Sequence, residues 1–595
     1  MIKNDLHAFY RDRKDNFAAS HAQIKKQINT ISNLRLLTAA AILVLLYLAL
    51  SKNGTLAYGL LPLLAVFLFL VRKHAELFDN GTHTENLVKI NEAEEKGLKG
   101  DRSSFMTGTE FIDPQHPYTH DLDIFGDGSL FQAMNRCNTH DGKQKFAHRL
   151  GHPLQTAAGI HEQQEAIREL ATKTDFRQNL EAAGKALDEQ PKDREQLLQW
   201  ITQPAFLYPK PAYRYTLLIF PILTIAMVVG AFFSPIFKAY AILCVIGQFG
   251  LTGIHVQRIN AFHEYISRKK YILEKYARLL YYLEKEKFSS PLLQKLAGSA
   301  QEAHVSVKHL ASLVSSLNAR LNFLTTLATN GLFLYDMQYV YRLEKWKDKH
   351  AAQLQQWLDA VSDTEVLSSL GTFAFNNPGF NYPDVNPQLA LSAKELGHPL
   401  IPADECVTND IAMGNGPGVL IVTGANMAGK STFLRTLGIN VILALNGAPV
   451  AAAAFSCPIV SLRTGMRTAD SLKDHQSYFY AELNRLKTIM DELRSDKPLL
   501  ILLDEILKGT NSTDKQAGSM ALVKQLLPHP CLGIIATHDL ALGVLEQEYP
   551  GRIANYCFEA TIENEQLSFD YKLKPGLAQK MNATFLMKKM GIIPR

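Results

Sequence analysis

Apolar residues are arranged along this chain in two ways. In four places they run together almost without charge: Leu36 to Ser51, Leu56 to Val71, Tyr215 to Phe237, and Ala239 to Val256. Each run lies near the roughly 17–25 residues that a bilayer-spanning helix needs. The separators are short, Lys52-Asn53-Gly54-Thr55 in the first pair, and Ser234-Pro235 with Lys238 in the second. The pattern predicts two helical hairpins. The alternative is four buried core helices, but core helices keep a polar stripe and these runs have almost none. Elsewhere the apolar positions are periodic. Leu130, Phe131 and Met134, then Phe146 and Leu150, recur at helical spacing, and residues 155–203 continue as amphipathic helix. Residues 260–361 form the longest helical stretch, in which Leu310, Leu313, Leu317, Leu321, Leu324 and Leu327 alternate three and four apart. That stripe predicts a packed or coiled helix. From Asp410 onward strands and helices alternate, the pattern of an α/β sheet.

Charge gives the hairpins an orientation. Lys25-Lys26, Arg35, Arg72-Lys73-His74, Lys210, Arg214, Arg258 and Arg268-Lys269-Lys270 all fall on one side of the four runs, whereas each far-side loop carries at most one lysine. Basic residues stay on the cytoplasmic side of a membrane, so both termini and the C-terminal domain are expected in the cytoplasm, with the protein multi-pass in the cytoplasmic membrane. The first run reads as a signal anchor and not a cleavable leader, because a long basic segment precedes it and a second run follows closely. The apolar content of 47% and mean hydropathy of −0.06 are high for a soluble protein. The net charge of +5 is modest and gathers near the runs, which makes it weak evidence for nucleic acid. Six cysteines, at 137, 244, 406, 457, 531 and 557, show no CxxC spacing. They suit a reducing compartment and predict no cysteine metal site.

The chemistry is concentrated in the C-terminal third. Gly424 to Thr432 reads GANMAGKST and follows the apolar block Val419 to Val422. It fits G-x-x-x-x-G-K-[ST], a loop between a buried strand and a helix whose backbone N–H groups cradle phosphates. Gly424 and Gly429 let the backbone curl, Lys430 offers a charge to the β- and γ-phosphates, and Ser431 offers a hydroxyl to Mg²⁺. A second apolar block, Leu499 to Leu503, ends in Asp504-Glu505. An aspartate there can hold Mg²⁺ and a glutamate can orient an attacking water. The two motifs together predict an enzyme, a Mg²⁺-dependent ATPase.

At the level of whole motifs, the C-terminal 200 residues resemble the ATPase domain of the MutS mismatch-repair family. The resemblance is carried by Thr423 to Thr432 (TGANMAGKST), with Asn426-Met427 inside the loop, by Leu503 to Thr510 (LDEILKGT), and by Ala536-Thr537-His538-Asp539. Upstream, Leu122 to Leu154 with its FGDGSLF run is similar to the start of that family's core domain. Phe375-Asn376, Tyr382-Pro383 and Gly397-His398-Pro399 resemble the segment leading into the ATPase. The family's sites are composite, closed between two copies, so the resemblance implies a homodimer. It implies nucleotide contacts from Asn426 and Thr432 and a γ-phosphate sensor at His538. Ser477, within Asp470 to Glu482, falls on the serine that reaches the partner's nucleotide through a helix N-terminus. Asn511-Ser512-Thr513-Asp514 falls where a loop crosses the dimer interface. For adenine stacking the family places an aromatic where Cys406 stands here, and often a histidine where Tyr571 stands; a phenol can stack on a purine.

The expected fold is an α/β P-loop, ABC-like ATPase domain C-terminal to an all-α core and lever region, with two transmembrane helical hairpins. Residues 1–34 read as a cytoplasmic lead-in, 35–72 as the first hairpin and 73–120 as a connector. Residues 121–214 read as core helices, 215–256 as the second hairpin, 257–365 as long levers, 366–409 as a linker, and 410–595 as the ATPase domain. Where the family has a mismatch-recognition domain, this sequence has the basic lead-in and first hairpin, so a membrane-anchored relative without mismatch sensing is expected. The levers are left with two occupants, structured DNA, or a protein or membrane-organising role without DNA. An ABC-type transporter fits less well, since more spans and a Ser-Gly-Gly signature are missing.

Overall fold

The structure is a computed structural model that describes residues 3–51, 54–187, 189–267, 269–318, 320, 323–425, 427–467, 478–495, 497–508, 510–563, 566–579 and 593. Four helices containing the four apolar runs are long and apolar enough to cross a membrane. The first two, Lys3–Ser51 and Leu60–Leu98, pack against each other as an antiparallel pair. Residues 73–98, expected within a connector, therefore continue the second helix of this hairpin. Leu77, Leu87 and Ile90 supply a buried stripe there that the charged residues around them mask in the sequence. The other pair is Pro211–Gly230 and Ile236–Ser267.

Helix Tyr335–Asn376 is the spine of the helical region and packs against His140–Gly151, Ala157–Thr172 and Ala303–Asn318. Leu130, Phe131, Met134, Phe146 and Leu150 are all buried beside it, as their spacing predicts. The leucine stripe behaves differently from its expectation as one packed helix. It is divided between Ala303–Asn318, where Leu310, Leu313 and Leu317 are buried, and Phe323–Phe333, where Leu327 is 48% exposed. The chain then reverses at Leu334, in the left-handed region with φ 50°. Neither glycine nor proline marks that reversal in the sequence.

Two sheets follow the spine. A four-stranded sheet has the order β1-β5-β2-β3, with β1 Asp384–Asn386, β2 Leu391–Leu396, β3 Asn409–Met413 and β5 Ala454–Pro458. About half of the expected linker 366–409 is thus built into a helix end and a sheet. A six-stranded sheet has the order β10-β9-β4-β8-β7-β6, with β4 Val419–Gly424, β6 Ser461–Gly465, β7 Leu499–Asp504, β8 Cys531–Thr537, β9 Ile553–Glu563 and β10 Gln566–Pro575. All pairings are parallel except β9 with β10. The central strands β4 and β8 are buried at every residue, which is why they read as unbroken apolar blocks. One apolar interior runs from Tyr118 in the helical region to Phe558 in β9. Helices and sheet meet tightly: a Cβ at Gly438 would lie 2.8 Å from Leu122 Cδ1.

Candidate functional site

The parallel strands bring their C-terminal ends to one edge, where crevices form in open α/β sheets. Gly424 ends β4 with φ 156°, and a Cβ there would lie 2.7 Å from the Phe558 carbonyl oxygen. Gly429 caps helix Lys430–Leu445 from the left-handed region, φ 103°. A Cβ at Gly429 would also press on the Tyr571 ring at 3.1 Å. The loop between them turns the helix N-terminus toward the crevice, so its N–H groups and dipole face an anion placed there. Asn426 lies outside the described residues.

Lys430 is 5% exposed and donates to the loop carbonyls of Gly424 at 2.7 Å and Ala425 at 2.9 Å. Burial lowers its ammonium below the usual lysine value, against the charges of Glu505 and Asp504. The next residue, Ser431, donates its hydroxyl to the Asp504 carboxylate. Asp504 ends β7 beside β8, paired with Ala536. Glu505 follows in the left-handed region at φ 54°, with its N–H on the Ala536 carbonyl at 2.8 Å. His538, one residue past β8, places Nδ1 3.4 Å from Glu505 Oε1.

The turn after Glu505 is held from outside the sheet. Leu507 also has positive φ, 59°, and such backbone costs on the order of 1–3 kcal/mol per residue. Glu482, on helix Tyr478–Leu493, accepts from Leu507 N–H at 2.6 Å and Lys508 N–H at 3.1 Å. Burial raises the Glu482 carboxyl, and these two hydrogen bonds oppose the rise. Hydrogen bonds to a carboxylate are the strong kind, so Glu482 offsets the strain and fixes Glu505. Nothing in the local sequence signals that contact.

A cleft of about 530 Å³ opens above the loop, lined by Gly429, Lys430, Ser431, Thr432, Glu505 and Tyr571 among others. Tyr571 reaches it because a bulge between Phe569 and Leu573 breaks the β9–β10 register and sets its φ at 52°. The ring stacks on Phe569 and is 44% exposed. The opposite wall, His398, Glu405, Cys406, Val407 and Asn409, comes from the segment between β2 and β3 and from the first residue of β3. Burial, then the Arg435 charge, pushes His398 down to about 4, so its imidazole is neutral at pH 7.

A third contributor is fully buried Asp121, from the helical region. It accepts from Thr464 Oγ1 at 2.6 Å, Arg485 Nη2 at 2.9 Å, and the N–H groups of Met466 and Arg467 at 3.1 and 3.0 Å. It therefore ties the helical region to the end of β6. Ser477, with the rest of 468–477, lies outside the described residues. Asn511 caps helix Ser512–Leu526, its Oδ1 accepting from Asp514 N–H at 2.8 Å. The structure thus gathers Gly424, Gly429, Lys430, Ser431, Thr432, Asp504, Glu505, His538 and Tyr571 at one edge of one sheet. Among the described residues, no group of three or more His, Cys, Asp or Glu side chains could hold a metal ion. The nearest arrangement is the hydroxyl of Ser431 on the carboxylate of Asp504, an oxygen pair of the kind Mg²⁺ accepts beside phosphate oxygens.

The family model of MutS domain V matches residues 420–594, and that of MutS domain III matches residues 119–371. The DNA mismatch repair protein MutS of Thermotoga maritima is 30% identical over 242 residues, 40% of this chain and 30% of that protein. The DNA mismatch repair protein MutS of Chloroflexus aurantiacus is 30% identical over 253 residues, 41% of this chain and 26% of that protein. The matched part is about three tenths of the length of these curated relatives.

Proposed function

Since the chain belongs to the MutS-like family, we propose that it is a membrane-anchored, Mg²⁺-dependent ATPase, multi-pass in the cytoplasmic membrane with its nucleotide site in the cytoplasm. The observation that carries the reading is the contact of Ser431 with Asp504, beside the buried Lys430 and with Glu505 next in the chain. In this reading Gly424, Asn426, Gly429, Lys430, Ser431 and Thr432 hold the phosphates, and Tyr571 packs on the base. Ser431 and Asp504 would hold Mg²⁺, and the ion when bound would supply positive charge to offset that of the phosphates. Glu505 orients the water that attacks the γ-phosphorus, and His538 senses that phosphate from beside Glu505. Ser477 completes the site of a second copy, so the working unit is a homodimer.

Glu505→Gln tests the assignment. The variant keeps ATP binding while turnover falls by roughly 10²–10³, the scale of losing a positioned catalytic group. Lys430→Ala loses binding itself. Wild-type hydrolysis by the Glu505→Gln protein would remove Glu505 from the mechanism.

The matched relatives are named DNA mismatch repair proteins, and structured DNA is accordingly the ligand we propose for the helical region. The second reading is an ATP-driven protein or membrane-organising machine without DNA: near the second hairpin Lys269 is buried in an ion pair with Asp193 and only the partly exposed Lys270 is left, for which headgroup contact is as good an explanation as DNA. Hydrolysis measured in lipid with and without branched DNA separates them: stimulation supports the first and indifference the second.

A further inference from the structure

Helix Phe323–Phe333, FLTTLATNGLF, carries no charged residue. It is shorter than a membrane span and lies against the second hairpin. A Cβ at Gly331 would lie 3.0 Å from Phe249 Cε2 and 3.4 Å from Val245 Cγ1, so this helix approaches Ile236–Ser267 closely. Its end is tied in by one buried amide. Gln248 accepts from the Leu334 N–H at 3.1 Å and donates to Thr224 Oγ1 at 2.5 Å. It also reaches the carbonyls of Leu332 and Phe220 at 3.4 and 3.5 Å. Gln248, Thr224 and Leu334 are each fully buried.

These contacts set the depth of the reversal. Phe220 and Thr224 lie nine and thirteen residues into helix Pro211–Gly230. At 1.5 Å per residue that is about 14 and 20 Å along its axis, the middle of a hydrocarbon layer about 30 Å thick. Irregular backbone at such depth is tolerated only where protein buries it and satisfies its polar groups. The backbone of the turn at Leu334 meets both conditions. The Asp336 N–H is received by Asn330 Oδ1 at 2.9 Å, and the Asp336 carboxylate pairs through Oδ2 with Arg320 at 3.0 Å, its Oδ1 accepting no hydrogen bond among the described residues. Meanwhile Leu327 and Phe333 remain 48% and 42% exposed. They continue the apolar belt of the hairpin, where Leu218, Ile222 and Ile246 are at least 60% exposed.

We propose that Phe323–Leu334 is a re-entrant membrane element that rises beside the second hairpin, turns at Leu334 in mid-bilayer, and presents Leu327 and Phe333 to lipid acyl chains. The proposal rests on the reading of that hairpin as membrane-spanning. It also gives the spine a role. Helix Tyr335–Asn376, about 63 Å long at 1.5 Å per residue, starts inside the bilayer and ends at Asn376, whose side chain bonds Tyr10 and Glu94 beside the first hairpin. A single rod then joins the membrane interior to the entry of the nucleotide region.

Tryptophan quenching by phosphatidylcholine brominated in mid-chain tests this on the full chain in nanodiscs. Leu327→Trp is compared with Ile222→Trp in the hairpin and Tyr480→Trp in the nucleotide region, the wild-type protein supplying the signal of the buried Trp200, Trp346 and Trp357. Added emission at 327 and 222 should be quenched alike, with none at 480. Phe333→Trp provides a second probe of the same face should Leu327→Trp fold poorly. Quenching at 222 but at neither 327 nor 333 would overturn the re-entrant element and leave the hairpin reading standing. No quenching at 222 would overturn the membrane reading, and this inference with it.

Discussion

In its most apolar part the first hairpin is two helices packed on each other, whereas the second also packs against a third segment, Phe323–Phe333. In the most apolar windows of the first pair, 0% and 6% of residues are buried; in the second pair the share is 17% for both helices. Their fastenings differ in kind. The first is locked at its base, where Tyr10 donates to Asn376 at 2.7 Å and Glu94 pairs with Arg136 almost out of solvent. The Arg136 guanidinium also lies 3.6 Å from the centre of the Phe105 ring. The second is locked in its middle by the uncharged Thr224–Gln248–Leu334 contacts. Hydropathy passes both hairpins as candidate spans. A polar residue inside an apolar run separates a hairpin packed on itself from one coupled to the body.

Breaking the ionic lock should have the largest effect. Glu94→Ala leaves Arg136 buried without its partner, and such a loss costs about 3–5 kcal/mol. Denaturant unfolding in detergent should register it, and a loss below about 1 kcal/mol, the range of exposed pairs, would place the lock among incidental contacts. Acid should sharpen the contrast. Burial alone would raise the Glu94 carboxyl, but the Arg136 charge and hydrogen bonds from Arg136 and Asn376 hold it below the ordinary carboxylate range. Its stabilisation is therefore complete above the unfolded carboxylate pKa and is lost as pH falls through the lower folded value. Hydrogen exchange on residues 3–20 and 84–98 should speed up in acid relative to neutral pH after correction for intrinsic rates, while residues 211–256 stay protected. Equal loosening of both hairpins would contradict the distinction.

Gln248→Leu should have a smaller effect, since hydrogen bonds inside membrane proteins average about 0.6 kcal/mol and reach about 1.7. Exchange at 323–338 should rise in this variant with the first hairpin unchanged. A rise in the first hairpin as well would mean that the two are not separately fastened.

Local signals made the nucleotide edge legible. Val419 to Val422 and Leu499 to Leu503 are apolar blocks because their strands are central, and the residues that follow each strand are placed by the strand itself. The four apolar runs were equally plain. What escaped detection depends on partners distant in sequence. β1 and β2 pair with β5 about 60 to 72 residues away, so 366–409 reads as a linker until the sheet is assembled. The wall at His398 and Cys406 is brought to the cleft by that sheet. The division of the leucine stripe and the turn at Leu334 depend on Gln248, which in sequence is only a lone amide within a hydrophobic run. Tyr571 is well placed, but the bulge that aims it leaves no mark in the sequence.

The most direct test of a membrane-held ATPase is labelling by an impermeant thiol reagent in intact cells. Cys137, Cys457, Cys531 and Cys557 are buried, and the wild-type protein reports the background from Cys244 and Cys406. The account predicts that Ser234→Cys, in the turn of the second hairpin, reacts from outside, while Ser512→Cys, at the first residue of helix Ser512–Leu526 beside the nucleotide edge, reacts only after permeabilisation. Labelling of Ser512→Cys in intact cells, or recovery of the full chain in the soluble fraction, would contradict it.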